Sequence, residues 1–199
     1  MPGPAIDLSG KTALVTGASR GIGRAIALVL AQCGARVIGV GTSIERDDQG
    51  PEAEIAAAGG VFRGLSCDLA DRDQIDAMIA RLDAEDTQVD ILINNAGIIR
   101  REEAANHSLE DWDAVMAVNL DAVFHLTRAF GQRMLERGHG KIVNVASVLS
   151  FQGGILVPGY AASKGAVAQL TRAFANEWAA RGVNVNAVAP GDLSQTLCH

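Results

Sequence analysis

The stretch "TALVTGASRGIGRAIALVLAQCG", residues 12–34, decides the fold class. It opens with a short apolar run at Thr12–Gly17, which predicts a buried strand. Glycines follow at 17, 21 and 23, and the apolar spacing of Arg24–Cys33 then predicts a helix that Gly34 ends. A strand, a glycine-rich turn and a helix in this order indicate the first unit of a parallel α/β fold.

The same alternation continues along the chain. Five further segments rich in Val, Ile and Ala predict strands buried on both faces: 36–41, 61–67, 89–97, 141–147 and 183–191. Helical patterns lie between them at 52–60, 74–85, 109–137 and 160–181, with Ser108 as the expected N-cap of the third. Helices of this length supply the crossovers that parallel strands need. We therefore expect residues 1–199 to form one doubly wound, Rossmann-type α/β domain with about six strands and helices on both faces.

Composition excludes several classes of function. The net charge is −6, and no run of Lys or Arg offers a surface for nucleic acid or anionic lipid. No run of 18 apolar residues predicts a membrane span. The three cysteines, Cys33, Cys67 and Cys198, are odd in number and widely spaced, which indicates neither a disulfide framework nor a metal site. A reducing, cytoplasmic environment fits this pattern best.

The glycines after the first strand favour phosphate binding. Gly17 permits a tight turn, while Gly21 and Gly23 let backbone approach a pyrophosphate at the N-terminus of the helix. A purely structural turn would also use glycine at its bends. The position of this turn, at the start of an alternating chain, favours a dinucleotide cofactor.

The only tyrosine of the chain, Tyr160, stands four residues before Lys164. Residues at this spacing share one face of a helix, so the ammonium group is expected within a few ångströms of the phenol. A nearby positive charge favours the phenolate, the form that accepts a proton. Chance packing would give the same spacing, so the pair needs support from the rest of the chain.

That support comes from a family resemblance that extends from about Asp7 to Gly191. The motifs "TGASRGIG" at 16–23, "NNAG" at 94–97, "VNLD" at 118–121, "VASVLS" at 145–150, "YAASK" at 160–164 and "PG" at 190–191 occur in the order found in short-chain dehydrogenases/reductases. The resemblance implies a nicotinamide-dependent oxidoreductase in which Tyr160 is the general acid or base. It also implies that Ser147 polarises the substrate oxygen, Lys164 binds the nicotinamide ribose, and Asn119 holds a water in a proton relay.

The resemblance further implies a set of cofactor contacts, with Asp68 beside the adenine. The expected contacts are Gly17, Ser19, Arg20, Gly21, Ile22, Gly23, Asp68, Leu69, Asn95, Ala96, Gly97, Tyr160, Lys164, Pro190 and Gly191. No acid follows the second strand before Glu45, and Arg20 could accept the 2′-phosphate of NADP. Sugar-acid dehydrogenases that look similar here prefer NAD, so the expectation leans to NAD.

Two stretches indicate the substrate class. "NNAGIIRRE" at 94–102 and "SVLSFQGGILVPGYAASK" at 147–164 resemble dehydrogenases of 2-dehydro-3-deoxy-D-gluconate and gluconate. Such a keto sugar acid needs cationic or amide donors, for which Arg100, Arg101 and Gln152 are candidates beside Ser147 and Tyr160. Two alternatives stay open: a 3-oxoacyl-carrier-protein reductase, and a cofactor-binding protein with little turnover. A homo-oligomer, dimer or tetramer, is expected from the resemblance.

The resemblance fades after Pro190–Gly191. Gln195 stands where the family commonly has threonine, and family members usually continue with further substrate-covering segments. Relative to the family the chain is therefore expected to be truncated at its C-terminus. Strand six is then expected at a bare sheet edge, and the chain is expected to bind dinucleotide but to have low or no activity on sugar acids.

Overall fold

The fold is a six-stranded parallel sheet with helices on both faces, as the alternating sequence predicts. The computed structural model describes residues 6–46 and 50–191. Its strands, in the spatial order β3-β2-β1-β4-β5-β6, are β1 Thr12–Thr16, β2 Arg36–Gly41, β3 Val61–Ser66, β4 Ile91–Asn94, β5 Gly140–Val145 and β6 Val183–Val188. The strand order reverses between β1 and β4, which leaves a crevice at their carboxyl ends.

The sheet separates two apolar cores. Leu14 of β1 pairs in register with Ile38 of β2 and Leu92 of β4, and all three belong to the larger core. The neighbouring residues Ala13 and Val15 point to the opposite face and belong to the second core. Because successive side chains of a strand alternate between faces, strands that are apolar throughout contact both cores.

The described residues include seven α-helices. They are α1 Gly21–Gln32, α2 Pro51–Ala57, α3 Arg72–Ala84, α4 Leu109–Met116, α5 Ala122–Arg137, α6 Leu149–Gln152 and α7 Pro158–Trp178. The larger core takes side chains from α3, α5 and α7, and the second core takes them from α1 and α2. Ser108 caps α4 as expected, because its side chain accepts a hydrogen bond from the backbone of Asp111 at 3.0 Å.

The expected single helix 109–137 contains a break. Residues Ala117–Asp121 form a π-helical turn between α4 and α5. A π-turn adds one residue without ending the helix, so the apolar spacing on either side gives no warning of it. The turn carries Asn119 into the interior, where none of its surface is exposed.

The loops after β1, β4, β5 and β6 meet at one edge of the sheet, because the carboxyl ends of parallel strands point the same way. These loops carry Gly17, Asn95, Ser147 and Pro190. Strand β6 lies at the sheet edge, where β5 is its neighbour among the described strands. None of the described helices is both long and apolar enough to cross a bilayer.

Candidate active site

The glycine turn after β1 depends on two glycines for different reasons. Gly17 has a φ of +67°, a conformation that L side chains rarely adopt. At Gly23, a Cβ atom would lie 2.1 Å from the Gly17 carbonyl oxygen and 2.4 Å from Nδ2 of Asn95. Gly23 therefore lets α1 pack directly on the turn, which brings the helix N-terminus to the carboxyl edge of the sheet.

Thr16 and Asn95 join this turn to the loop after β4. The Thr16 hydroxyl oxygen accepts hydrogen bonds from the backbone N–H groups of Asn95 and Ala96, both at 3.0 Å. In return, Nδ2 of Asn95 donates to the Thr16 carbonyl at 2.9 Å. The Asn95 side-chain amide thus holds the two loops together.

A cavity of about 380 Å³, here called the glycine-turn cavity, opens between these loops. The first turn of α1 beside it carries no acidic residue, so the positive end of the helix dipole stays available to an anion. Ten of the expected cofactor contacts line the cavity: Gly17, Ser19, Arg20, Ile22, Gly23, Asp68, Leu69, Asn95, Ala96 and Gly97. Gly21, also expected there, is not among the lining residues.

The residues directly after β3, Cys67 and Asp68, form part of the wall of the glycine-turn cavity. Burial raises the pKa of the Cys67 thiol to about 11, with smaller contributions from Asp68 and Asp71, so the thiol is protonated at neutral pH. The exposed Asp68 carboxylate accepts a hydrogen bond from the backbone of Ala70 at 2.9 Å. Its own backbone N–H donates to Oε1 of Gln74 at 2.9 Å, which fixes the loop.

A second cavity of about 460 Å³, here called the tyrosine cavity, lies beside the first. Its wall includes the expected residues Ser147, Gln152, Tyr160, Lys164, Pro190 and Gly191. The two cavities share Ile22, Asn95, Gly97 and Ile98, so they are adjoining parts of one cleft. The long shape of this cleft, with glycine at one end and a phenol at the other, fits an extended ligand such as a dinucleotide.

Tyr160 and Lys164 face the cleft from the first two turns of α7. The Lys164 ammonium nitrogen lies 5.8 Å from the centroid of the Tyr160 ring, as the spacing of four residues predicts. Lys164 is only 3% exposed, and its Nζ donates to the Val145 carbonyl at 2.6 Å. Burial lowers the pKa of Lys164 from 10.5 to about 8, because removing the charged ammonium group from water is unfavourable.

Both polar atoms of the Asn119 side-chain amide form hydrogen bonds within the protein. Its Oδ1 accepts from the Ile98 backbone at 2.8 Å, and its Nδ2 donates to the Ile98 carbonyl at 3.0 Å and to the Ser163 hydroxyl at 3.1 Å. A Cβ placed on Gly97 would lie 3.3 Å from Oδ1 of Asn119 and 3.5 Å from Nζ of Lys164. The glycine keeps that space open, and the expected water relay there stays a prediction.

Ser147 lies at the end of β5 and is 7% exposed. Its hydroxyl oxygen accepts from the backbone N–H of Leu149 at 3.2 Å, which leaves the hydroxyl hydrogen free for a ligand. The next residue, Val148, donates its N–H to the Pro190 carbonyl at 3.1 Å. This bond attaches the segment after β6 to the serine loop and explains why Pro190 and Gly191 reach the tyrosine cavity.

The two arginines after β4 separate. Nε of Arg100 lies 3.2 Å from a carboxylate oxygen of Asp111 on α4, and Arg100 does not line the tyrosine cavity. Arg101 does line it, together with Gln152. The ion pair with Asp111 directs the Arg100 side chain towards α4, and the substrate contacts expected at both arginines stay predictions. Ile98 and Ile99 also line the cavity; they lie within the stretch 94–102 that indicated the substrate class, but they were not named as contacts.

Comparisons with known proteins agree with this geometry. A family model described as short chain dehydrogenase matches residues 11–198. A 2-dehydro-3-deoxy-D-gluconate 5-dehydrogenase from Pseudoalteromonas atlantica is 53% identical over 93% of this chain and 73% of its own length. A 3-oxoacyl-[acyl-carrier-protein] reductase from Vibrio cholerae is 41% identical, over 96% and 77%.

A solved structure is also similar throughout. It comes from Beutenbergia cavernae and is described as an NAD(P)-dependent gluconate 5-dehydrogenase with NADP bound at low occupancy. It superposes with a TM-score of 0.87 at 50% identity, over 93% of this chain and 73% of that one. The chain thus spans about three quarters of the length of these relatives.

Proposed function

The chain belongs to the short chain dehydrogenase family, and on that premise we propose that it moves a hydride between a nicotinamide cofactor and a keto or hydroxy sugar acid. The observation that carries the proposal is the continuous cleft, in which the glycine turn stands at one end and Ser147, Tyr160 and Lys164 at the other. A phosphate-binding turn and a proton donor in one cleft are the two parts that such a reaction needs.

The cleft residues fit a dinucleotide. A side chain at Gly17 or Gly23 would clash with neighbouring atoms, and neither residue has one. Because no side chain stands in the way, a pyrophosphate can approach the N–H groups of α1. Lys164 and Tyr160 would hold the nicotinamide ribose at the other end. When bound, the nicotinamide ring supplies or accepts the hydride.

Three side chains then manage the proton and the charge. During reduction Tyr160 gives its phenolic proton to the substrate oxygen, and during oxidation the phenolate takes that proton back. Ser147 donates its free hydroxyl hydrogen to the same oxygen and stabilises the developing charge. The Lys164 nitrogen, 5.8 Å from the centroid of the Tyr160 ring, places a positive charge beside the group that exchanges the proton.

For the cofactor we propose NADP in preference to NAD, in contrast to the expectation from sequence. Strand β2 ends at Gly41, and neither Gly41 nor the following Thr42 supplies a carboxylate that would exclude a 2′-phosphate. Arg20 is exposed in the same wall, with its guanidinium available to a phosphate. The bound NADP of the similar structure from Beutenbergia cavernae supports this choice.

Calorimetric titration of Arg20→Ala with both cofactors tests the choice. We expect NADP binding to weaken about 10- to 100-fold, since a charged hydrogen bond contributes about 1.5–3 kcal/mol. NAD binding should stay within about threefold, because NAD lacks the 2′-phosphate. Equal weakening of both would contradict the proposal.

For the substrate we propose a six-carbon sugar acid whose carboxylate meets Arg101. The two neighbouring arginines provide a matched pair of variants. Arg101→Ala should raise KM for the acid about tenfold or more, while Arg100→Ala should leave it nearly unchanged, because Arg100 is paired with Asp111. An equal effect of both variants would show that the arginines act through overall charge.

The two alternatives are tested by a substrate panel followed at the reduced-nicotinamide absorbance. We expect turnover with 2-dehydro-3-deoxy-gluconate-type acids and none with a 3-oxoacyl carrier substrate. The chain is 41% identical to the carrier-protein reductase and 53% identical to the sugar-acid dehydrogenase, which supports a sugar acid over an acyl carrier as the substrate. Dinucleotide binding without turnover on any acid would favour a cofactor-binding protein, and the low activity expected from sequence would show here as a low rate.

We also propose a cytoplasmic homo-oligomer. Cys33 and Cys67 are free thiols, which fits a reducing compartment. Phe124 on α5 is 43% exposed and stacks on Phe174 of α7, which leaves an apolar patch for a second copy. Light scattering should give a mass of at least twice 20.7 kDa, and a monomer at micromolar concentration would contradict the oligomer.

A further inference from the structure

Two serine hydroxyls each connect two of the four residues for which the family resemblance predicts a catalytic role, namely Asn119, Ser147, Tyr160 and Lys164. The first is Ser163, none of whose surface is exposed. Its hydroxyl oxygen accepts from Nδ2 of Asn119 at 3.1 Å and donates to the Tyr160 carbonyl at 2.8 Å. One hydroxyl thus joins the π-turn to the turn of α7 that carries the phenol.

The second is Ser150, half-buried in α6. Its hydroxyl oxygen accepts from the backbone N–H of Ser147 at 3.2 Å and donates to the Lys164 carbonyl at 2.8 Å. The loop after β5 is thereby attached to α7, one turn further along than the Ser163 bridge.

We propose that Ser150 and Ser163 are positioning residues that set the relative placement of the four proposed catalytic residues. The inference rests on the proposed function. Asn119, Ser147 and the Tyr160–Lys164 pair come from three separate segments: the π-turn, the loop after β5, and α7. Hydrogen bonds at 2.8–3.2 Å fix those segments against one another, and a shift of about 1 Å in such a site costs about 100-fold in rate.

A hydroxyl with the same bonding lies away from the site and provides a control. Thr171, also on α7 and 6% exposed, accepts from Nδ2 of Asn144 at 2.9 Å and donates to the Val167 carbonyl at 2.8 Å. It too joins a buried asparagine to a carbonyl of the helix, but it lines neither cavity of the cleft. Removing it measures the cost of losing such a hydroxyl without touching the catalytic residues.

The kinetic test compares Ser163→Ala and Ser150→Ala with Thr171→Val, using NADPH and the best acid of the panel. We expect kcat to fall about 10- to 100-fold in both serine variants, with KM for cofactor and acid within about threefold. Thr171→Val should keep kcat within about threefold, and Ser150→Thr, which retains a hydroxyl, should recover most of the lost rate. An equal loss of kcat in Thr171→Val, or no loss in the serine variants, would overturn the inference.

A measurement independent of turnover separates this inference from the proposed function. The Ile98 amide donates to Oδ1 of Asn119, so its hydrogen exchange reports how firmly Asn119 is held. Exchange at Ile98 should be faster by about tenfold or more in Ser163→Ala and unchanged in Thr171→Val. Unchanged hydrogen exchange at Ile98 in Ser163→Ala would show that Ser163 does not hold Asn119 in place, even if the enzyme is active. If the parent chain is inactive but exchange at Ile98 is faster in Ser163→Ala, the proposed function is rejected. The positioning role of Ser163 is then still supported.

Discussion

The buried Lys164 ammonium should make folding stability depend on pH in a way that one substitution removes. Burial lowers its pKa from 10.5 to about 8. Between these two values the unfolded chain binds more protons than the folded protein, so stability rises with pH across that window. Below pH 8 the folded protein carries the whole cost of the buried charge, and above pH 10.5 it carries none.

The size of the effect follows from the shift. Each pKa unit corresponds to about 1.4 kcal/mol, so the buried charge costs about 3 kcal/mol at pH 7. Lys164→Met retains an unbranched side chain and removes the charge. We therefore expect the free energy of unfolding of the parent to rise by about 3 kcal/mol relative to Lys164→Met between pH 7 and pH 10.5. The lost bond to the Val145 carbonyl adds only a constant offset to this difference.

The assay is urea unfolding at half-unit pH steps, with parent and variant both carrying Tyr160→Phe so that the phenol does not titrate. Lys11→Met, at an exposed lysine, controls for the change in overall charge. A difference between Lys164→Met and its parent that stays constant within about 1 kcal/mol from pH 7 to 10.5 would refute the reasoning.

Two further predictions concern the glycine turn and the surface. Gly23→Ala should destabilise the fold by about 3 kcal/mol and abolish NADP binding by calorimetry, because its Cβ would lie 2.1 Å from the Gly17 carbonyl oxygen. Gly21→Ala, with a φ of +56° but no atom within 4 Å of the new Cβ, should cost only about 1.5 kcal/mol, and a cost as large as that of Gly23→Ala would argue against the packing role. Arg63 lowers the pKa of Glu85 to about 2, so the stability lost in Glu85→Gln should be full above pH 4.5 and vanish as pH falls towards 2 in acid unfolding curves.

Much of the fold could be predicted because its signals are local. Gly17 marks the end of β1 and Gly34 the end of α1, and both have positive φ angles that a glycine accommodates. The six strands lie at the expected places within a few residues. The short helix α6 was not predicted, since four residues are too few for a helical period.

The site was predicted less completely because its bonds join residues far apart in the chain. Ser163 meets Asn119 across 44 positions, and no local pattern distinguishes its hydroxyl from that of any serine in a helix. Arg100 and Arg101 are equivalent as neighbours in sequence, and only the ion pair of Arg100 with Asp111 separates them. The Tyr160–Lys164 pair could be predicted from the sequence because helical spacing alone brings the two residues together.

The most direct test of the central claim is a single-turnover experiment with Tyr160→Phe, which removes one oxygen atom from the cleft. With protein in excess over NADPH and a 2-dehydro-3-deoxy-gluconate-type acid, even slow hydride transfer appears as loss of the reduced-nicotinamide absorbance. We expect hydride transfer by the parent chain, a rate at least about 100-fold lower in Tyr160→Phe, and NADPH binding that differs by no more than about threefold by calorimetry. Transfer by Tyr160→Phe at the parental rate, or none by a parent chain that binds NADPH, would contradict this claim.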